Sequence, residues 1–150
     1  MRKRRILSRL LWSLILIPFL ISCAEDDGTD DNNTKTSHNA GKNCMSCHTS
    51  GSGHGAWTVA GTVYNSSKSS VYSNATVKLT SGTNGTGTVT VSITGDASGN
   101  FYTSSGVSFG GGLYPSVTGT SGNTQYMPAP VTTGQCNSCH NKTTEKIWVN

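Results

Sequence analysis

A chain of 150 residues has room for one domain and not comfortably for two. Its formal charge of +4 comes from its first residues. Arg2, Lys3, Arg4, Arg5 and Arg9 are five of the 11 cationic side chains, and without them six lysines face seven acids, a net −1. That balance gives nucleic-acid binding no electrostatic support. The early cations precede an apolar run from Leu10 to Ile21, broken only by Ser13 and with Pro18 near its end. The run is shorter than the about 20 residues a spanning helix needs, and it fits the apolar core of an export signal.

Leu20-Ile21-Ser22-Cys23 closes that run and resembles the lipobox of bacterial lipoproteins. The resemblance implies a signal peptide over residues 1–22, cut before Cys23, with Cys23 lipidated and the chain anchored to a membrane of the cell envelope. Ala24 does not resemble an Asp-type retention signal, so the outer membrane is the expected location. An ordinary signal peptide with a coincidental cysteine, or an uncleaved anchor, is the alternative. Residues 24–37 are mostly Asp, Asn, Thr and Gly. Such a composition cannot bury enough surface to offset chain entropy, so residues 23–43 read as the lipidated cysteine and a flexible tether.

Cys44-Met45-Ser46-Cys47-His48 comes next, in a segment 44–56 that ends in the glycine-rich Gly51-Ser52-Gly53-His54-Gly55. From Trp57 the character changes to Thr, Ser, Gly and Val, and period-two alternation predicts strands. Val59, Gly61 and Val63 share one face, Ala75, Val77 and Leu79 another, and Val89, Val91 and Ile93 a third. Shorter strands are expected near Phe101–Ser104 and Tyr114–Thr118. Turn chemistry separates them at Asn65-Ser66-Ser67, at Ser81-Gly82-Thr83-Asn84-Gly85 and at Gly95 to Asn100, with a loop at Gly110-Gly111-Gly112. One face of each strand should be buried and the other wet. The expected fold class is therefore mainly β: a small antiparallel β-sandwich over 57–125, flanked by two loop-rich segments, 44–56 and 126–150.

Ala60-Gly61-Thr62-Val63-Tyr64, Asn74-Ala75-Thr76-Val77-Lys78-Leu79 and Asp96-Ala97-Ser98-Gly99-Asn100-Phe101 are similar to the carboxypeptidase regulatory-like, transthyretin-like sandwich family. That resemblance covers about 60 residues. It implies a seven-stranded sandwich with a structural or adhesive role, and no peptidase residues match.

The chemistry is concentrated in Cys44-Met45-Ser46-Cys47-His48 and Cys136-Asn137-Ser138-Cys139-His140. Cys-x-x-Cys-His is the attachment signature of c-type haem. Two thiols, two residues apart, reach two vinyl groups of one porphyrin and form thioethers, and the following His meets the iron. The expected cofactors are thus two c-type haems, held covalently by Cys44, Cys47, Cys136 and Cys139, with His48 and His140 as proximal iron ligands. A four-thiolate zinc site would use the same cysteines but would not call for His after each pair. Disulfides would also leave the two histidines unexplained.

Sixth ligands are sought among His38, His54 and Met127. The chain has 4 histidines, and two irons with two imidazoles each would use them all. Met127, followed by Pro128, is the alternative distal ligand, and Met/His ligation raises the potential relative to bis-His. Trp57, Tyr126 and Trp148 flank the haem segments and are expected to pack on porphyrin. Both motifs are expected on one end or flank of the sandwich, which puts His38 or His54 within reach of the haem of the other motif. A distal His from a second molecule, through self-association, is a further arrangement.

Together the lipobox, His38-Asn39-Ala40-Gly41-Lys42-Asn43 before the first motif and Gly134-Gln135 before the second resemble small dihaem cytochrome lipoproteins of metal-reducing and other anaerobic respiring bacteria. The resemblance implies electron transfer with other redox proteins or cytochromes, in anaerobic or extracellular respiration, and no enzyme activity. Two alternatives remain. One is a haem enzyme of peroxidase type with one open axial site, for which only Asp96 and Glu145 supply acids beyond the tether. The other is an adhesive sandwich lipoprotein with secondary haems.

Overall fold

The computed structural model describes residues 37–150, so the signal segment, Cys23 and the expected tether as far as Thr36 lie outside the described residues. Residues 37–43, read as part of that tether, are hydrogen-bonded to the sandwich. Eight strands form among the described residues: β1 (Val59–Asn65), β2 (Thr76–Thr80), β3 (Val89–Thr94), β4 (Asn100–Thr103), β5 (Tyr114–Thr118), β6 (Thr124–Tyr126), β7 (Gly134–Gln135) and β8 (Ile147–Val149). They make two four-stranded sheets. The first is built around β1, with β4 on one side and β7 and β8 on the other. The second has the order β3-β2-β5-β6. The mainly β, sandwich-like fold read from the alternation is present, with eight strands rather than seven. Among the described residues no helix is long and apolar enough to cross a membrane.

Alternation explains the second sheet directly. Val77 and Leu79 of β2 are buried while Lys78 between them is exposed. Strand β3 lies at the sheet edge, and its inward row is only partly covered: Ile93 is buried, but Val89 is 48% exposed. The chain crosses from the second sheet to the first at residues 95–100. There Asp96 Oδ1 accepts the amides of Ser98 (2.9 Å) and Asn100 (3.0 Å), an Asx turn closed by Gly99 at φ +71°.

Strand β1 departs from the expected pattern, because both of its faces are buried. Val59 and Val63 face the sandwich core with Phe101, Val77, Leu79, Ile93 and Val117. Ala60, Thr62 and Tyr64 face the other way and are buried as well, each less than 10% exposed. What covers that outer face is the chain around the two Cys-x-x-Cys-His motifs. The sheet itself also draws on residues 134–135 and 147–149, beyond the 57–125 span where the alternation is visible.

Candidate functional site

The second motif is spliced into the edge of the first sheet. Strand β7 runs parallel to β1 beside Val59 and Ala60, and β8 resumes the same side beside Val63, Tyr64 and Asn65. The motif fills the gap between them. Its 3-10 turn, Cys136–Ser138, places the Asn137 side chain where a strand would continue, and Thr62 N–H donates to Asn137 Oδ1 at 3.2 Å. Asn137 Nδ2 donates to Thr62 Oγ1 (3.0 Å) and to the Lys42 carbonyl (2.9 Å). A side chain thus satisfies backbone groups that the interrupted ladder would leave unpaired, which is why Asn137 is only 2% exposed.

The lead into the first motif is strapped to the same spot. Gly41 N–H donates to Thr62 Oγ1 (2.9 Å), and Thr62 Oγ1 donates to Asn100 Oδ1 (2.5 Å). Asn100 Nδ2 donates to Ser37 Oγ (2.8 Å) and to the His38 carbonyl (3.3 Å), while Asn141 Nδ2 donates to the Gly41 carbonyl (3.2 Å). Ser37 in turn donates through its amide and hydroxyl to Asp96 Oδ2. Gly41 has φ +80°, and a Cβ there would come within 2.5 Å of Tyr64 Oη and 2.9 Å of Asn141 Nδ2. The motifs, far apart in sequence, therefore share one polar junction on the outer side of β1.

Internally the two motifs are copies. In each, the Cys-x-x turn is a 3-10 helix: Cys44–Ser46 and Cys136–Ser138. The Ser hydroxyl donates to the carbonyl just before the motif, Ser46 to Asn43 at 2.7 Å and Ser138 to Gln135 at 2.6 Å. The His amide donates back to the first Cys carbonyl at 3.0 Å in both. Finally, each His Nδ1 meets a backbone carbonyl a few residues on: His48 meets His54 O (3.0 Å) and Gly55 O (3.3 Å), and His140 meets Glu145 O (2.5 Å). A carbonyl only accepts, so Nδ1 carries the hydrogen and the neutral ring keeps its lone pair on Nε2. Both rings are thus oriented and held in the tautomer that binds a metal through Nε2.

The surroundings differ. At the first motif, His48 stacks on Trp57 (3.5 Å between centroids, 5° between planes), and Trp57 stacks on Tyr102 (4.2 Å, 12°). Trp57, expected against porphyrin, thus packs on the ring of the motif itself. His38 and His54 lie 6.4 and 5.9 Å from the His48 centroid. Both histidine candidates for the distal position are therefore gathered at one motif.

The second motif borders a cavity of about 560 Å³ whose wall includes Val77, Leu79, Phe101 and Val117 of the core. Cys136, Cys139, His140, Met127, Tyr126 and Trp148 line it too. Cys136 packs against the core because Gly61 leaves room: a Cβ at Gly61 would sit 2.5 Å from the Phe101 ring and 3.0 Å from Cys136 Cβ. Burial pushes the Cys136 thiol up to about 12 and raises Cys44 as well. Cys44 and Cys136 are free, so neither Cys-x-x-Cys pair closes into a disulfide. No three His, Cys, Asp or Glu converge on one metal position among the described residues.

A flat macrocycle fits this donor set. Each motif offers two cysteines, of which Cys44, Cys136 and Cys139 are free thiols, with an oriented imidazole and adjoining aromatic or apolar surface, and the cavity lies in the size range of cofactor sites, about 300–1,000 Å³. Asn137, Thr62, Asn100 and Gly41 are the residues that sequence reasoning missed. Asn137 lies within a motif and Gly41 just before one, whereas Thr62 and Asn100 carry no sequence signal of this role. No family model, no curated protein and no solved structure matches the chain.

Proposed function

We propose that the chain is an exported, lipid-anchored dihaem c-type cytochrome that carries electrons. Cys44 and Cys47 would hold one haem and Cys136 and Cys139 the other, with His48 and His140 binding the irons through Nε2. When bound, haem supplies one-electron iron chemistry with a potential tuned by its axial ligands and burial. The protein's residues do the rest. The carbonyls of His54 and Glu145 hold the Nδ1 protons, Trp57 fixes the plane of His48, and Phe101 and Leu79 give the second site apolar walls. Cys23, outside the described residues, would tether the protein to the envelope, where other redox proteins are its partners.

The observation that carries this reading is the duplicated turn. Two distant segments adopt the same 3-10 geometry with the same Ser and His hydrogen bonds, and each leaves an imidazole Nε2 free. Chance His after a structural Cys pair has no reason to be oriented twice in the same way.

The test is haem staining on a denaturing gel, after expression in a host that attaches c-type haem. Wild type should stain, C44S/C47S and C136S/C139S should each retain about half the signal per chain, and the quadruple variant should not stain. An unstained wild type beside a stained control cytochrome would refute the reading.

A further inference from the structure

We propose that the two centres are axially unequal, His38 completing the iron site on His48 and Met127 completing the iron site on His140. This rests on the dihaem reading above. The first observation is how the histidines are shared out. Of 4 in the chain, three meet at the first motif, with His38 and His54 both within 6.4 Å of His48 by ring centroid. The two spare imidazoles serve one site.

His38 is the better placed of the two. His54 contributes its carbonyl to His48 Nδ1, so its backbone lies on the edge of the ring opposite the metal-binding side. The backbone of His38 is held from elsewhere, by Asn100. Two imidazoles trans on one metal, each bonded at about 2.0 Å, have centroids roughly 6 Å apart. The His38–His48 spacing of 6.4 Å fits that value, as does the 5.9 Å of His54, so it is the backbone placement that selects His38.

At the cavity, Met127 shares the wall with Cys136, Cys139 and His140. Its amide donates to the Pro115 carbonyl (3.0 Å), which continues the β5–β6 pairing by one residue and fixes where the side chain starts. The charged Lys146 and Glu145 side chains on that wall are engaged. Lys146 Nζ lies 4.2 Å above the Tyr64 ring and donates to the Lys68 carbonyl, and Glu145 pairs with Lys68 at 3.0 Å. A soft, uncharged thioether is the ligand an apolar cavity can offer an iron without burying a charge. Met45 lies inside the first attachment turn, Cys44–Ser46, and not on this wall.

An order of midpoint potentials comes with this ligation. Met/His coordination and an apolar surround both raise the potential relative to an exposed bis-His site. The His140 centre therefore lies above the His48 centre, and the pair has a direction.

The test uses the full chain with its haems attached, with intact mass confirming two haems in every sample. In the reduced wild type, proton NMR should show one strongly upfield-shifted Met methyl resonance, and a redox titration should resolve two one-electron waves. M127A should abolish that resonance and give a high-spin ferric fraction, about half the haem, that binds cyanide. M127H should lower the upper wave and leave the lower wave in place, while H38A should disturb only the lower. Two covalent haems with no shifted Met methyl in wild type would overturn the proposal while sparing the dihaem reading, and this needs no variant to fold. No covalent haem at all would overturn both.

Discussion

The two Cys-x-x-Cys-His turns share their internal hydrogen bonds, yet they occupy different kinds of place. One lies on the outside of the first sheet, beside a His–Trp–Tyr stack and two further histidines. The other interrupts a sheet edge, sends Asn137 into the outer junction, and turns Cys136 toward the core and a cavity between strands of both sheets. Five residues suffice for the turn, because every bond that shapes it is local. What the turn does to the fold depends on where the sandwich receives it. At the first motif a haem would add to a surface. At the second it would supply apolar contacts that the small core otherwise lacks.

Stability should separate the two sites most strongly. Filling the cavity with porphyrin is worth at least ~3 kcal/mol by burial of apolar surface, so C136S/C139S should melt roughly 10 °C or more below wild type. C44S/C47S should lose only a few degrees in the same calorimetric scan. Equal losses would dissolve the distinction.

A smaller contrast lies within the motif. Asn137 and Met45 occupy equivalent positions, but only Asn137 is buried and bonded to Thr62 and Lys42. N137A orphans buried groups at about 1–3 kcal/mol each and should cost about 2–3 kcal/mol in denaturant unfolding, whereas M45A should stay within about 1 kcal/mol. The strap between the motifs comes next. G41A forces a side chain into left-handed backbone at about 1–2 kcal/mol and into contact with Tyr64 and Asn141, and it should show as faster amide exchange at Thr62. Least of all, K68A should change stability by under about 0.5 kcal/mol. Its Glu145 partner is 72% exposed on the loop that holds His140, and that loop keeps its carbonyl contact without the ion pair.

Legibility in the sequence follows the range of the forces. Strands β1 to β3 are visible because apolar residues alternate for several positions, β4 and β5 only as short stretches between turn residues, and the motif cysteines with His48 and His140 are visible because each motif is contiguous. Strands β6, β7 and β8 span three residues or fewer, too short for a period to register. The double burial of β1 was hidden for a different reason. Thr62 looks like a wet strand residue until residues 37–43 and 136–141 are brought over it. The cavity is likewise a property of how two sheets are spaced, and no single segment encodes it. His38 and His54 were recognised as candidates by count, but their assembly around His48 needed the fold.

The most direct measurement is the intact mass of the wild-type chain made in a host that matures c-type haem. The account predicts a mass equal to the processed polypeptide plus two haems, falling by one haem in C44S/C47S and by one in C136S/C139S. A wild-type mass equal to the polypeptide alone, beside a correctly matured control cytochrome, would contradict it.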